Sequence, residues 1–259
     1  MKLREIFRFE FVYQARRVRT WLYFAVLFAV AFQLRRGVVN SPFAIAQETI
    51  LAGLLWVLMA PAVAGSAAAR DAQTRMHPLV YTTPISKADY LGGRFLAAFV
   101  LNALILLAVP LGMLAALLLP GMEPEIVGPF RPAVYLSSYG VLALPTAFAF
   151  TAVQFSLAAL KRRAVVSYLG SVLVFVTAGI PAALMVNVFN MPAIGQLLDP
   201  TCRINVLIVM DNTLTPLEKN TVLIALQSSI LANRLLWIGV ALAILVFTHV
   251  RFRLDHRAA

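Results

Sequence analysis

Residues 44–69 read AIAQETILAGLLWVLMAPAVAGSAAA, with Ser41-Pro42 just ahead and Arg70-Asp71 just behind. This run decides the fold. Its one ionisable side chain, Glu48, lies near its start. A helix needs about 20 apolar residues to cross the ~30 Å hydrocarbon core of a bilayer, and only helices and closed barrels satisfy their own backbone polar groups there. Ser41 is placed as N-cap and Pro42 as first helical residue. The run is predicted to be a membrane-spanning helix.

The same pattern repeats on both sides. Thr20 to Leu34 is a shorter run, and Phe95 to Leu119, Ala133 to Leu160, Ala164 to Phe189 and Leu231 to Val250 are full-length ones. The whole chain is 61% hydrophobic and 13% charged over 259 residues. Soluble domains carry about 25% charged residues, and no soluble fold of this size could bury such an apolar excess. The expected fold is therefore an all-α polytopic membrane protein forming one transmembrane domain over residues 1–259, with about six transmembrane helices.

Orientation follows from charge. With the N-terminus inside, the inner segments hold sixteen Lys and Arg and five acids, and the outer ones six of each, counting Arg234 with the outer segment. The formal net charge of +11 thus falls wholly on the inner side, as cytoplasmic loops require. Both termini are expected in the cytoplasm. Basic residues spread over separate inner segments look like membrane-surface anchors, which argues against nucleic acid as a partner. Residues 1–19 place Leu3, Phe7, Phe11, Ala15 and Val18 on one helical face and Glu5, Arg8, Arg16 and Arg19 on the other. They are predicted to form an interfacial helix. No small-residue cleavage site follows, so a signal peptide is not expected.

Two connecting segments exceed a simple turn. The inner one, 70–94, carries Pro78 and Pro84. Residues 70–77 are expected to form a short helix ended by Pro78, and Ser86 with Asp89 to cap the helix leading into the third span. The outer one, 190–232, contains Thr215-Pro216-Leu217-Glu218, a capping box from which a helix should run toward the last span. Asp199-Pro200 reads as another helix start. An outer helical hairpin before the last span is expected.

The absences narrow the function. The runs contain no Asp or Lys, Glu48 and His249 sit near run ends, and Arg234 lies near the outer start of the last run. Ion-coupled carriers place ionisable or discontinuous sites at the midplane; here the interior offers Asn102, Ser137, Ser138, Thr146, Gln154, Ser171, Thr177 and Asn187. Of these, Asn102, Ser138, Thr146, Gln154 and Asn187 are the candidate substrate-path residues, with interhelical hydrogen bonding as the competing and favoured reading. Pro61, Pro110, Pro145 and Pro181 fall in four successive spans, where kinks are expected. There is no P-loop, no zinc motif, no nucleophile elbow and no paired Asp or Ser–His set within the spans, and the single Cys202 forms no intrachain disulfide. No enzyme activity, catalytic residue or metal site is expected. If the chain moves a substrate uphill, a partner must supply the energy.

Tyr81-Thr82-Thr83-Pro84-Ile85-Ser86-Lys87 followed by Tyr90-Leu91-Gly92-Gly93-Arg94 resembles the inner loop of type-2 ABC transporter permeases, the six-span subunits of bacterial exporters. The resemblance covers the whole chain in order. It implies that Arg70, Asp71, Arg75, His77, Leu79 and Tyr81 contact a separate P-loop ATPase subunit. It also implies that ATP and Mg are bound by that subunit with no cofactor in this chain, that the permease pairs with a copy or a relative, and that it sits in the bacterial inner membrane. Asp199-Pro200, Thr215-Pro216 with Glu218-Lys219-Asn220, and Asn233-Arg234-Leu235-Leu236-Trp237 are similar to a narrower group, in which such a permease is joined to a zinc aminopeptidase domain. The zinc motif is absent here, so no peptidase activity is expected. The rival reading is a membrane anchor or scaffold that transports nothing and presents 190–232 to a partner.

Overall fold

The computed structural model describes residues 2–34, 40–74, 76, 85–118, 129–225 and 228–253, and these contain helices and no strand. In chain order they form α1 (Lys2–Ala15), α2 (Val18–Leu34), α3 (Pro42–Gln73), α4 (Lys87–Ala116), α5 (Pro132–Lys161), α6 (Val166–Asn187), the short α7 (Pro192–Leu198), α8 (Arg203–Val206) and α9 (Pro216–Thr221), and α10 (Ser228–Arg251). Five are long and apolar enough to cross a membrane: α3, α4, α5, α6 and Ser229–Arg251 of α10. By length and composition they fit a multi-pass membrane protein. α2 has 17 residues. At 1.5 Å per residue it spans ~25 Å, short of the ~30 Å core.

The predicted caps form. Ser41 accepts the Ala44 N–H and Ser86 accepts the Asp89 N–H. Thr215 and Glu218 close the capping box reciprocally. Three expectations change. Residues 70–73 are the last turn of α3 rather than a separate helix. The helix begun at Thr215 stops at Thr221, where Val222 turns extended (φ −78°, ψ 121°); Asn, Thr and Val in succession are weak helix formers. Asp199 does not begin a helix but ends α7, and its carboxylate reaches forward to the Ile204 N–H of α8 (2.7 Å).

Each of the four span prolines is accommodated. Pro61 offers no N–H to the Val57 carbonyl, four residues back. Ser171 Oγ of α6 donates to that carbonyl instead (3.1 Å), and Ser167 Oγ donates to the Pro61 carbonyl (2.8 Å). Pro110 follows a break at Leu107 that divides α4. Pro145 and Pro181 each follow a single π-helical stretch, Tyr139–Ala143 in α5 and Phe175–Gly179 in α6. Widening the helix before the ring is one established way to absorb it.

Packing between spans gains little from the hydrophobic effect, since lipid is as apolar as leucine; close approach and hydrogen bonds must hold it. At Gly65 a Cβ would lie 2.5 Å from the Ala164 carbonyl oxygen, so only glycine permits this approach of α3 to the start of α6. The main core gathers Leu27, Trp56, Leu106, Met113, Phe150 and Phe155, with Phe95, Phe99 and Phe148 meeting edge-to-face at 5.4–5.6 Å. A second, smaller core lies beyond it: Ala46, Ile50, Leu142, Cys202, Val206, Met210, Ile224 and Ile230.

Candidate functional site

Four of the charged side chains that sequence reading assigns to the inner surface are buried against one another. Glu10 of α1, Arg70 and Asp71 of α3, and Arg94 of α4 form one network. Glu10 is 1% exposed. Its oxygens lie 3.1 and 2.8 Å from the two terminal nitrogens of Arg70, the first a hydrogen bond and the second an ion-pair contact. Gln14 donates to Glu10 (3.0 Å) and to the Val63 carbonyl (3.4 Å). Arg94 pairs with Asp71 and donates to the Ala67 carbonyl at 2.9 Å. The Tyr90 hydroxyl donates to Asp71 at 3.2 Å. Arg70 also lies over the Phe9 and Tyr13 rings (5.3 and 4.2 Å), and Arg94 over Tyr90 at 4.6 Å. Burial pushes the Glu10 carboxyl above its ordinary pKa; the Arg94 and Arg70 guanidiniums pull against this without cancelling it.

The local sequence explains the assembly. Glu10 and Gln14 are four apart, so they share one face of α1. Gly93 lets that helix close on α4, because a Cβ there would meet the Leu3 carbonyl oxygen at 2.9 Å. The C-terminus of α10 joins the same end. Lys87 Nζ donates to the Val250 carbonyl (3.2 Å), Arg162 donates to the Arg253 carbonyl (3.1 Å), and Phe252 stacks on Tyr90 at 5.9 Å. Cations at helix C-termini satisfy the last carbonyls and the dipole together. A cleft of about 520 Å³ opens beside the network, with Phe9, Tyr13, Arg70, Thr74, Met76 and Ile85 in its walls. Arg75, His77, Leu79 and Tyr81 lie outside the described residues.

The interior polar residues are spread through the bundle. Asn102 donates to Thr151 (3.1 Å) and Gln154 to Ser171 (2.9 Å), both between helices. Thr146 accepts from Arg234 (3.1 Å). Ser138 is buried, and Asn187 is exposed, bonding back to its own helix at Ala183. Asn102, Gln154 and Thr146 thus bond between helices, and Asn187 within its own.

At the opposite end of the bundle a second polar clasp appears. Asn233, wholly buried, donates to the carbonyls of Gln196 (2.7 Å), Leu197 (3.1 Å) and Asp199 (2.8 Å). Arg234, 2% exposed, reaches Thr146, Pro200 and Thr201, and Trp237 Nε1 donates to Leu197 at 3.2 Å. The Asp199-Pro200 and Asn233-Arg234-x-x-Trp237 motifs, far apart in sequence, are thus one structure. Cys202 is enclosed here at a left-handed backbone (φ 63°), and burial raises its thiol pKa.

Sequence reading missed Glu10, Gln14, Tyr90 and Arg94 as members of the first site. Their signal was available: acid and amide at i, i+4 in a helix otherwise rich in arginine, and a Tyr-x-x-x-Arg pair at the head of an apolar run. The chain matches no known family model, and no curated protein sequence matches it.

Proposed function

We propose that the chain is the transmembrane permease subunit of an ATP-binding-cassette exporter, driven by a separate ATPase subunit. One observation carries the reading: the Glu10–Arg70 and Asp71–Arg94 pairs join α1, α3 and α4 into a single braced unit beside Thr74, Met76 and Ile85. A push received there is transmitted to two long helices at once, because neither can move without the other or without breaking buried ion pairs. In this reading α2 is the first of six crossings, helped across by α1 at the interface. Both termini are cytoplasmic, the short helices between α6 and α10 form the outer surface, and the permease works as a homo- or heterodimer in the bacterial inner membrane. Arg70 and Asp71 then brace the coupling element rather than touch the partner directly, and Arg75, His77, Leu79 and Tyr81 supply the contact.

The test is to purify the tagged chain from its own membranes in mild detergent. An ATP-hydrolysing subunit should accompany it, and replacing residues 77–81 by Gly-Ser should release that subunit while the chain stays folded. If no such subunit is recovered and the replacement leaves efflux unchanged, the exporter reading fails. Recovery of a different protein bound through 190–225 would support a scaffold instead.

A further inference from the structure

A trough of about 440 Å³ lies between α6, Leu54 of α3 and the segment 199–204. Phe175, Gly179, Ile180, Ala183, Leu184 and Asn187 supply its α6 wall, and their spacing puts them on one helical stripe. Gly179 and Ala183 carry little or no side chain, which leaves depth between the larger Phe175, Ile180 and Leu184. The wall begins at the π-helical turn Phe175–Gly179, a kind of irregularity that recurs at functional sites. Gly195 lets α7 fold back on this helix, because a Cβ there would meet the Ala182 carbonyl oxygen at 2.8 Å. That return brings the segment 199–204 to the trough.

The two walls differ in chemistry. The α6 and α3 side is apolar apart from Asn187, and the 199–204 side presents Asp199, Thr201 and Arg203. Asp199 is already satisfied. Its oxygens accept from the Thr201 N–H (2.9 Å), the Thr201 hydroxyl (2.7 Å) and the Ile204 N–H (2.7 Å). Asn187 uses one amide hydrogen on the Ala183 carbonyl (2.8 Å) and keeps the other. Arg203 is the cation of the trough. It is exposed, and among the described residues no carboxylate lies within ion-pair distance of it. An apolar wall facing an uncompensated guanidinium suits a molecule with a hydrocarbon part and a negative charge.

We infer that this trough binds a single-chain amphipathic anion, a long-chain carboxylate, with its head group on Arg203 and its chain along α6. The planar guanidinium fork matches a carboxylate in two-point geometry. From Phe175 to Asn187 the wall rises ~18 Å, a little more than one leaflet's half of the ~30 Å hydrocarbon core. The volume is about three times that of the ~150 Å³ cavity that holds one benzene, room for one chain and not for the two of a phospholipid. Ile180 and Leu184 are exposed, so the chain enters sideways from the bilayer. The inference rests on the multi-pass membrane reading and is independent of the ATPase partner. Failure to recover an ATPase would leave it standing.

The full-length chain is purified in a sterol-tailed nonionic detergent, which has no flexible chain to compete. It is titrated with tetradecanoate, tetradecanol or phosphatidylglycerol, and bound copies are counted by native mass spectrometry. Wild type should hold one tetradecanoate about tenfold more tightly than tetradecanol, the scale of a charge-assisted pair. Arg203→Gln, a change at an exposed side chain that spares the fold, should bring the carboxylate down to the level of the alcohol. Arg163→Gln, which removes the same charge from an exposed position outside the trough, should stay within twofold of wild type. Ala183→Leu, which fills the trough, should weaken both single-chain probes about tenfold. Equal binding of acid and alcohol, equal losses in the two arginine variants, unchanged binding in Ala183→Leu, or phosphatidylglycerol held as tightly as tetradecanoate would each overturn the assignment.

Discussion

Replacing Glu10 by alanine should unlatch α1 from the bundle. Glu10 is held by one charge-assisted hydrogen bond and a second ion-pair contact from Arg70, and by a hydrogen bond from Gln14. Breaking a buried ion pair by removing one partner costs about 3–5 kcal/mol, chiefly because the other charge is left uncompensated. Arg70 keeps 12% side-chain exposure and its aromatic neighbours, so water reaches it and the lower figure applies. About 3 kcal/mol corresponds to roughly a hundredfold rise in the population with α1 open. Hydrogen exchange of the purified chain, read by mass spectrometry on peptides from 2–15, measures this opening directly. Exchange there should quicken by about a hundredfold, while the middle of α5 is unaffected. Glu5→Ala, at an exposed position on the same helix, should change it less than threefold. A similar small change for Glu10→Ala, or quickening spread evenly over all helices, would refute the view that this pair latches α1.

Three further outcomes follow from the geometry. Ser171→Ala removes the donor to the Val57 carbonyl and the acceptor of the Gln154 amide and should cost about 1–3 kcal/mol in detergent unfolding; adding Pro61→Ala, which restores a helical N–H to Val57, should recover only the carbonyl's part in a double-mutant cycle. Asn233→Ala removes the side-chain donor to the Asp199 carbonyl and leaves those of Gln196 and Leu197 with only Asn205 and Trp237, so trypsin cleavage at Arg203 should accelerate about tenfold, with little change at Arg162. Glu218 has its pKa lowered by the Thr215 N–H and hydroxyl, so its stabilising effect is present above the ordinary value of 4.5 and is lost as pH falls through the depressed folded value. Amide protection of residues 216–221 should therefore hold down to pH 4.5 and fade below it, and Glu218→Gln should abolish that dependence.

The helical architecture was legible because its signals are local. Run length, the Ser41, Ser86 and Thr215 caps and the proline positions can each be read within one turn or one crossing. The sites were less legible because their members come from separate segments. Glu10 looks like one acid in a basic helix until Arg70 is folded against it. Arg94 reads as a surface arginine flanking a run, yet α4 begins seven residues earlier and carries it inside. Arg234 was counted with the outer segment for the same reason. Near the end of an apolar run, length and charge alone do not say whether an arginine faces water or a ring of carbonyls; the partners that decide it lie elsewhere in the chain.

The π-helical turn at Tyr139–Ala143 has a mechanical consequence. Leu142 belongs to the smaller core, and Ala143 together with Val134 and Tyr135 before the turn to the main one, so the two cores meet at this turn. A π turn carries one residue more than an α turn, which changes the face that α5 presents on either side of it. The turn reaches the smaller core through Leu142, while the segments on both sides of it pack against α3. Letting that extra residue migrate along the helix would rotate one segment against the other like a clutch. Together with the matching turn at Phe175–Gly179, it gives adjacent helices a place to slip where the rest of the bundle is interlocked.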